Sequence, residues 1–263
     1  MAKIDILLEG SGIGTDQGVV AFCSIFLVRA GDRNIVFDSG HVGRRTALER
    51  ALQERGLATA DIDLLVMSHA HWDHVQNVDL FENASLLIHP DERKYSHKPH
   101  RNDWATPGWT GAAIETVERI EETGDGQQIA PGVSIMDLPG HSPGSIGLLV
   151  EEDDGGRGVL TGDALHYAGV ALTRECPLVF WNDEQATASI NRVVDTADVI
   201  YPGHDQAFRV KDGEIEYVSQ FKLGLIGLSA DGATLRPGAL LLSPADIKPG
   251  WRVMPGIEHQ SLA

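Results

Sequence analysis

The run His69-Ala70-His71-Trp72-Asp73-His74 constrains this chain more than any other feature, because it follows directly on the apolar stretch Leu64-Leu65-Val66-Met67. Three imidazoles and a carboxylate packed this closely are not routine core or surface choices. Together they form a donor set suited to Zn2+ and acceptable to Mn2+ or Fe2+. Three further segments repeat the arrangement of an apolar strand, a tight turn and a donor. They are Pro139-Gly140-His141-Ser142-Pro143-Gly144, Leu160-Thr161-Gly162-Asp163-Ala164 and Tyr201-Pro202-Gly203-His204-Asp205. A Gly-His or Gly-Asp turn means little alone. Four such segments in order predict strands that converge at one sheet edge, since nothing else could gather donors so distant in the chain.

The rest of the chain agrees with that architecture. Strands are predicted over Val19 to Val28 and Asn34 to Phe37, joined by a turn at Ala30-Gly31-Asp32, and over Ser85 to Ile88. A helix over Thr46 to Arg55 carries apolar residues at helical spacing and stops at Gly56. Later strands are expected over Val133 to Met136, Ser145 to Val150, Gly158 to Leu160 and Val199 to Tyr201, with a helix over Glu184 to Val194. The acidic stretch Glu151 to Asp154 before Gly155-Gly156 reads as an exposed hairpin turn. Strands interleaved with helices give an α/β fold. The stretch 214–228 is ambiguous, and the prolines after residue 230 exclude long helices there. One domain over 1–263 is expected, with an irregular C-terminal extension from about 230.

Composition acts by exclusion. Of 263 residues, 42% are hydrophobic, enough for a sizeable core, and no apolar run is long enough to span a bilayer. Asp5 interrupts the opening segment before an apolar core develops, which speaks against a secretory signal, and the two cysteines, Cys23 and Cys176, stand in no metal-like spacing. Both points predict a cytoplasmic protein with reduced thiols. A net charge of −17, with no basic stripe to offset it, disfavours nucleic acid and leaves a small molecule as the expected partner. The oligomeric state stays open, a homodimer included.

Taken together, the HAHWDH, PGHS, TGD and PGH segments resemble those of the metallo-β-lactamase superfamily, and the resemblance runs from Phe22 to about Phe208. It implies a four-layer αββα sandwich built from two similar halves. Carried over by motif, it implies that His69, His71 and His141 hold one metal, that Asp73, His74 and His204 hold a second, and that Asp163 bridges them. Two divalent ions per chain follow, zinc first, with a metal-bridging hydroxide as nucleophile and Asp73 steering a proton. Ile35-Val36-Phe37-Asp38-Ser39-Gly40 matches an early motif of the family and makes Asp38 the group that orients a ligand histidine. Neither cysteine falls in a ligand motif, unlike the commonest antibiotic-hydrolysing branch.

Two substrate classes remain. The TGDA and GHD segments are similar to those of N-acyl homoserine lactonases and related ester hydrolases. Those enzymes carry a tyrosine three residues after the bridging aspartate, where this chain has His166 followed by Tyr167. Either could donate a proton to a leaving alkoxide, or be a polar loop residue and a packing residue. The segment Pro202 to Val210 is also similar to small phosphodiesterase or nuclease-like members. A non-catalytic metal-binding protein is the third reading, and no ligand has been lost to support it. Phe180 and Trp181 are expected as apolar walls for an acyl chain and Trp72 as a packing residue. His97 and His100 are expected as surface histidines within an irregular 97–104 stretch that joins the two halves and could form a substrate-covering loop.

Overall fold

The computed structural model describes residues 2–15 and 18–221, together with the strands Leu225–Leu228 and Leu235–Gly238. Two large sheets carry the fold. The first runs in spatial order Ala2–Leu8, Ile25–Ala30, Arg33–Phe37, Leu64–Val66, Ser85–Ile88 and Ile120–Glu122. It is antiparallel up to Arg33–Phe37 and parallel beyond it. The second runs Gln128–Ala130, Val133–Asp137, Ile146–Glu151, Arg157–Gly162, Val199–Pro202, Phe208–Lys211 and Glu214–Tyr217. Only the pairing of Arg157–Gly162 with Val199–Pro202 is parallel in that sheet.

Three cores separate four layers. Phe26, Ile35, Phe37 and Val66 of the first sheet pack on Ile135, Leu148, Leu160 and Tyr201 of the second. The outer face of the first sheet, including Leu27, Val36 and Leu65, is covered by Leu48 and Leu52 of the helix Arg45–Gln53. On the far side, Ile190 and Val193 of the helix Asp183–Thr196 cover Val159, Ile200 and Phe208. The central strands are buried on both faces, which is why they read as unbroken apolar runs rather than as an alternation. Each fully buried Leu, Ile or Phe contributes about 1.5–3 kcal/mol, so the core shared by the sheets holds them firmly together. The αββα sandwich expected from the sequence is the observed fold.

Three details depart from the sequence reading. The run Val19 to Val28 is not one strand. It splits at Cys23-Ser24 into Gly18–Phe22, which pairs with Ser11–Thr15 in a separate hairpin, and Ile25–Ala30 of the first sheet. The break is tertiary in origin: the Ser24 N–H donates to Gly203 O at 2.6 Å, which turns the chain towards the second half. The 97–104 stretch lies within the first half, since Ile120–Glu122 still belongs to the first sheet. Of the expected irregular extension, Leu235–Gly238 pairs antiparallel with Leu225–Leu228, and the rest lies outside the described residues. The acidic turn is a hairpin as expected, with Glu151 opposite Arg157.

Because the two sheets share one core, residues 1–125 and 126–263 produced separately are each expected to be insoluble or unable to bind metal. A stable, metal-binding half, judged by circular dichroism and metal analysis, would contradict a single folding unit.

Candidate functional site

All four motif segments end at the same edge of the sandwich. His69, His71 and His74 follow the strand Leu64–Val66, Asp163 follows Arg157–Gly162, and His204 follows Val199–Pro202. Every one of these is buried or nearly so. His69, His71, His141 and Asp163 form one group of converging donor atoms, and Asp73, His74 and His204 form another. In the first group His141 Nε2 lies 3.2 Å from His69 Nε2 and 3.0 Å from His71 Nδ1. In the second, His204 Nε2 lies 3.4 Å from Asp73 Oδ2.

Asp163 stands between them. Its Oδ2 lies 3.9 Å from His69 Nε2 and 3.6 Å from His141 Nε2, while its Oδ1 lies 3.4 Å from His74 Nε2 and 3.2 Å from His204 Nε2. One carboxylate oxygen thus faces each group. Gly203 makes the approach possible, since a Cβ there would collide with Asp163 Oδ1.

Four of the ring nitrogens turned away from the centre are hydrogen-bonded, and that of His71 faces a carboxylate. His74 Nδ1 meets Asp38 Oδ2 at 2.8 Å, and His71 Nε2 lies 3.4 Å from Asp103 Oδ1. His141 Nδ1–H donates to Leu178 O at 2.6 Å, and His204 Nδ1–H donates to Phe22 O at 3.1 Å. Ser68 Oγ donates to Asp38 Oδ2 at 2.8 Å and can accept from His69 Nδ1 at 2.9 Å. With the outer nitrogens protonated, the inner ones present lone pairs.

Three inner acceptor atoms have no hydrogen-bond partner although they are buried: His74 Nε2, Asp73 Oδ2 and Asp163 Oδ1. Orphaned acceptors at one point are costly unless a cation serves them. The donor set of imidazoles and carboxylates therefore fits divalent metal.

The titration of the cluster reflects the same crowding. Burial and the neighbouring imidazoles hold His69 and His141 well below the usual histidine range. Burial acts the same way on His71 and His204, but Asp103 beside the first and Asp163 beside the second outweigh it and raise both.

Asp38 stands behind the His74 ring, where the sequence expected it beside a histidine, and has a strained backbone. Its φ is 61°, in the left-handed region, where a non-glycine residue costs about 1–3 kcal/mol. The reward is a carboxylate that also accepts the Ser68 N–H at 2.8 Å and so fixes the start of the histidine loop.

A cavity of about 320 Å³ opens onto the cluster. It is walled by Trp72, Trp104, Tyr167, Pro177, Leu178 and Tyr217, with His71, Asp73, Asp163, His166 and His204 at its base. Tyr167 is therefore a wall residue. His166 is buried, with Nε2 3.4 Å from Asp163 Oδ2 and its ring 4.8 Å from that of His141.

Trp72 was expected to pack beneath the loop, yet it faces the cavity beside His41. Trp181 does not line the cavity but packs edge-on against Tyr95, and Phe180 sits behind the rings of His71 and His141. His97 is exposed and pairs with Glu115, while His100 holds a turn through Asn102. Cys176 is a thiol pushed up to about 12 by burial, and Cys23 is likewise unpaired.

Asp103 and Glu92 were not singled out by sequence, whereas Trp104 ends the 97–104 stretch offered as a substrate-covering loop and does line the cavity. Asp103 sits in an aperiodic loop and Glu92 in the charged run Asp91 to Lys94, so neither carries a local signal of burial.

Comparison with known proteins agrees with this geometry. Residues 18–204 match the model of the metallo-β-lactamase superfamily. Metallo-beta-lactamase domain-containing protein 1 of Xenopus laevis is 30% identical over 216 residues, covering 81% of this chain and 84% of that protein. An N-acyl homoserine lactonase of Bacillus cereus is 30% identical over 162 residues, covering 59% of this chain and 60% of that one. A crystal structure of B. thuringiensis AiiA with N-decanoyl-L-homoserine bound at its active site superposes with a TM-score of 0.63 at 20% identity. It covers 78% of this chain and 92% of that one. The chain belongs to the metallo-β-lactamase superfamily of hydrolases. Among the described residues no helix is long and apolar enough to cross a membrane.

Replacing Asp38 by Asn keeps a residue tolerant of positive φ but removes the charge behind His74. Metal affinity, measured by chelator competition, is expected to fall about 10–100-fold with the apo fold retained. Unchanged affinity would show that His74 needs no carboxylate partner.

Proposed function

We propose that the protein is a dinuclear metal-dependent hydrolase of lactones or carboxylic esters. The observation that carries the substrate reading is the cavity. Its walls are aromatic and aliphatic, and no Lys or Arg lines it among the described residues. Such a wall suits an uncharged acyl group and offers nothing to a phosphodiester beyond the centre itself. The lactonase relatives support the same reading, one of them by holding an acyl-homoserine in its active site.

In this reading His69, His71 and His141 would hold one cation, Asp73, His74 and His204 the other, and Asp163 both. Zinc is the first candidate on donor type, ahead of manganese and iron(II). Two dications at the roughly 3.5–4 Å spacing of dinuclear hydrolases repel by about 17–19 kcal/mol at an effective dielectric of about 20. Asp73 and Asp163 supply the anionic compensation that lets both remain. When bound, such cations supply an acidified water and a Lewis-acidic contact for a carbonyl oxygen.

The chain's own groups do the rest. Asp73, at the cavity base, accepts and steers the proton released there. His166 and Tyr167 stand on the side of Asp163 that faces the cavity and serve as hydrogen-bond donors to the leaving alkoxide. Trp72, Trp104 and Leu178 exclude water and hold the acyl chain.

A screen of the metal-loaded protein against lactones, aryl esters, phosphodiesters and β-lactams, with a chelated control, tests the reading. Lactones should be turned over fastest, with kcat/KM rising with acyl-chain length, and Trp72→Ala should flatten that rise without changing metal content. Faster turnover of a phosphodiester than of any lactone or ester would reverse the assignment. Metal analysis should find close to two ions per chain, and Asp163→Ala should lose the most, since it removes the carboxylate shared by both groups. Loss of both ions in His141→Ala with neither lost in Asp163→Ala would overturn the ligand roles.

A further inference from the structure

Glu92 takes no part in the chemistry above, yet it is fully buried in the helix Pro90–His97. Its Oε1 accepts the Ala70 N–H at 2.8 Å, and Ala70 lies between His69 and His71. Its Oε2 accepts the Ser142 Oγ–H at 2.7 Å and the Gly144 N–H at 2.9 Å, just after His141. The two loops come from different sheets and are 72 positions apart between His69 and His141.

The surrounding structure is shaped to this contact. Gly144 has no side chain because a Cβ there would collide with the backbone of Glu92. Ser145 Oγ stands 2.7 Å from Ser142 Oγ and so backs the hydroxyl that Glu92 holds. All three groups aimed at Glu92 are donors, and only a carboxylate has acceptor capacity on both oxygens. A glutamine amide would have to turn its NH2 towards either the Ala70 N–H or the Ser142 and Gly144 pair, so one loop would lose its anchor.

We propose that Glu92 is a positioning residue that clamps His69, His71 and His141 into one donor triad, and so sets the affinity of that cation site without touching the cation. The proposal rests on the metal-binding reading given above. It concerns the first group most, since two of Glu92's three hydrogen bonds hold the loop of His141, while the third holds a loop that runs on to Asp73 and His74 of the second group.

Titration of the apo-protein with Co2+ against a chromophoric chelator tests it in two backgrounds. His204→Ala impairs the second group and leaves the first to report, and His141→Ala does the converse. Glu92→Gln is expected to weaken Co2+ binding about 10–100-fold in the His204→Ala background and clearly less in the His141→Ala background. No loss in the first background, or an equal loss in both, overturns the clamp, the latter because a general scaffold residue would do the same. Should Glu92→Gln fail to fold, Ser142→Ala removes one of the three bonds and is expected to give a smaller loss in the first background only. Full affinity in that variant overturns the proposal equally. A wild-type protein that takes up no Co2+ at all would instead sink the metal reading, and the clamp with it.

Discussion

Five ring nitrogens lie 3.2–3.9 Å from the two oxygens of Asp163, and little else in the molecule makes sense without that convergence. Lone pairs of imidazole and carboxylate repel at such distances unless positive charge stands between them. The surrounding structure spends hydrogen bonds to keep them facing inward regardless. Asp38, Ser68 and the carbonyls of Leu178 and Phe22 each occupy the outer nitrogen of one ring, which fixes both tautomer and tilt, and Asp103 faces that of His71 at 3.4 Å. The strained φ of Asp38 and the absent side chain at Gly203 are local costs of the same requirement.

The sandwich exists to bring those loops to one edge. His69, His71 and His74 come from the first sheet and Asp163 and His204 from the second, so the relative placement of the sheets is itself a determinant of the centre. The shared core of Phe37, Val66, Leu148 and Leu160 sets that placement, and the Ser24 to Gly203 hydrogen bond ties the halves beside the site.

The donors themselves were legible in the sequence because each follows an apolar strand within a few residues, so a local pattern carries the information. Asp38 was legible for the same reason. What escaped depends on contacts remote in the chain. The charged run Asp91 to Lys94 looks like a solvated helix face, and only the loops at Ala70 and Ser142 bury Glu92. The break in Val19 to Val28 has no proline or glycine to mark it, and its partner, the carbonyl of Gly203, is remote in the chain. Trp72 and Trp181 exchange the roles expected of them, since an aromatic ring next to a donor motif reads the same whether it faces the cavity or the layer behind. The pairing of Tyr95 with Trp181 decides the matter, and that pairing joins a helix of the first half to a loop of the second.

The cavity walls come from segments that supply few of the donors: Ser11, Gly12 and Ala21, Trp104 and Ala105, Tyr167 to Leu178, and Tyr217. Trp72 alone among the aromatic walls sits inside a donor motif. Reactivity and selectivity are thus written on largely different stretches of chain. A lineage built this way can exchange its wall loops and explore new substrates while the centre stays intact, and the one position where such drift meets resistance is Trp72.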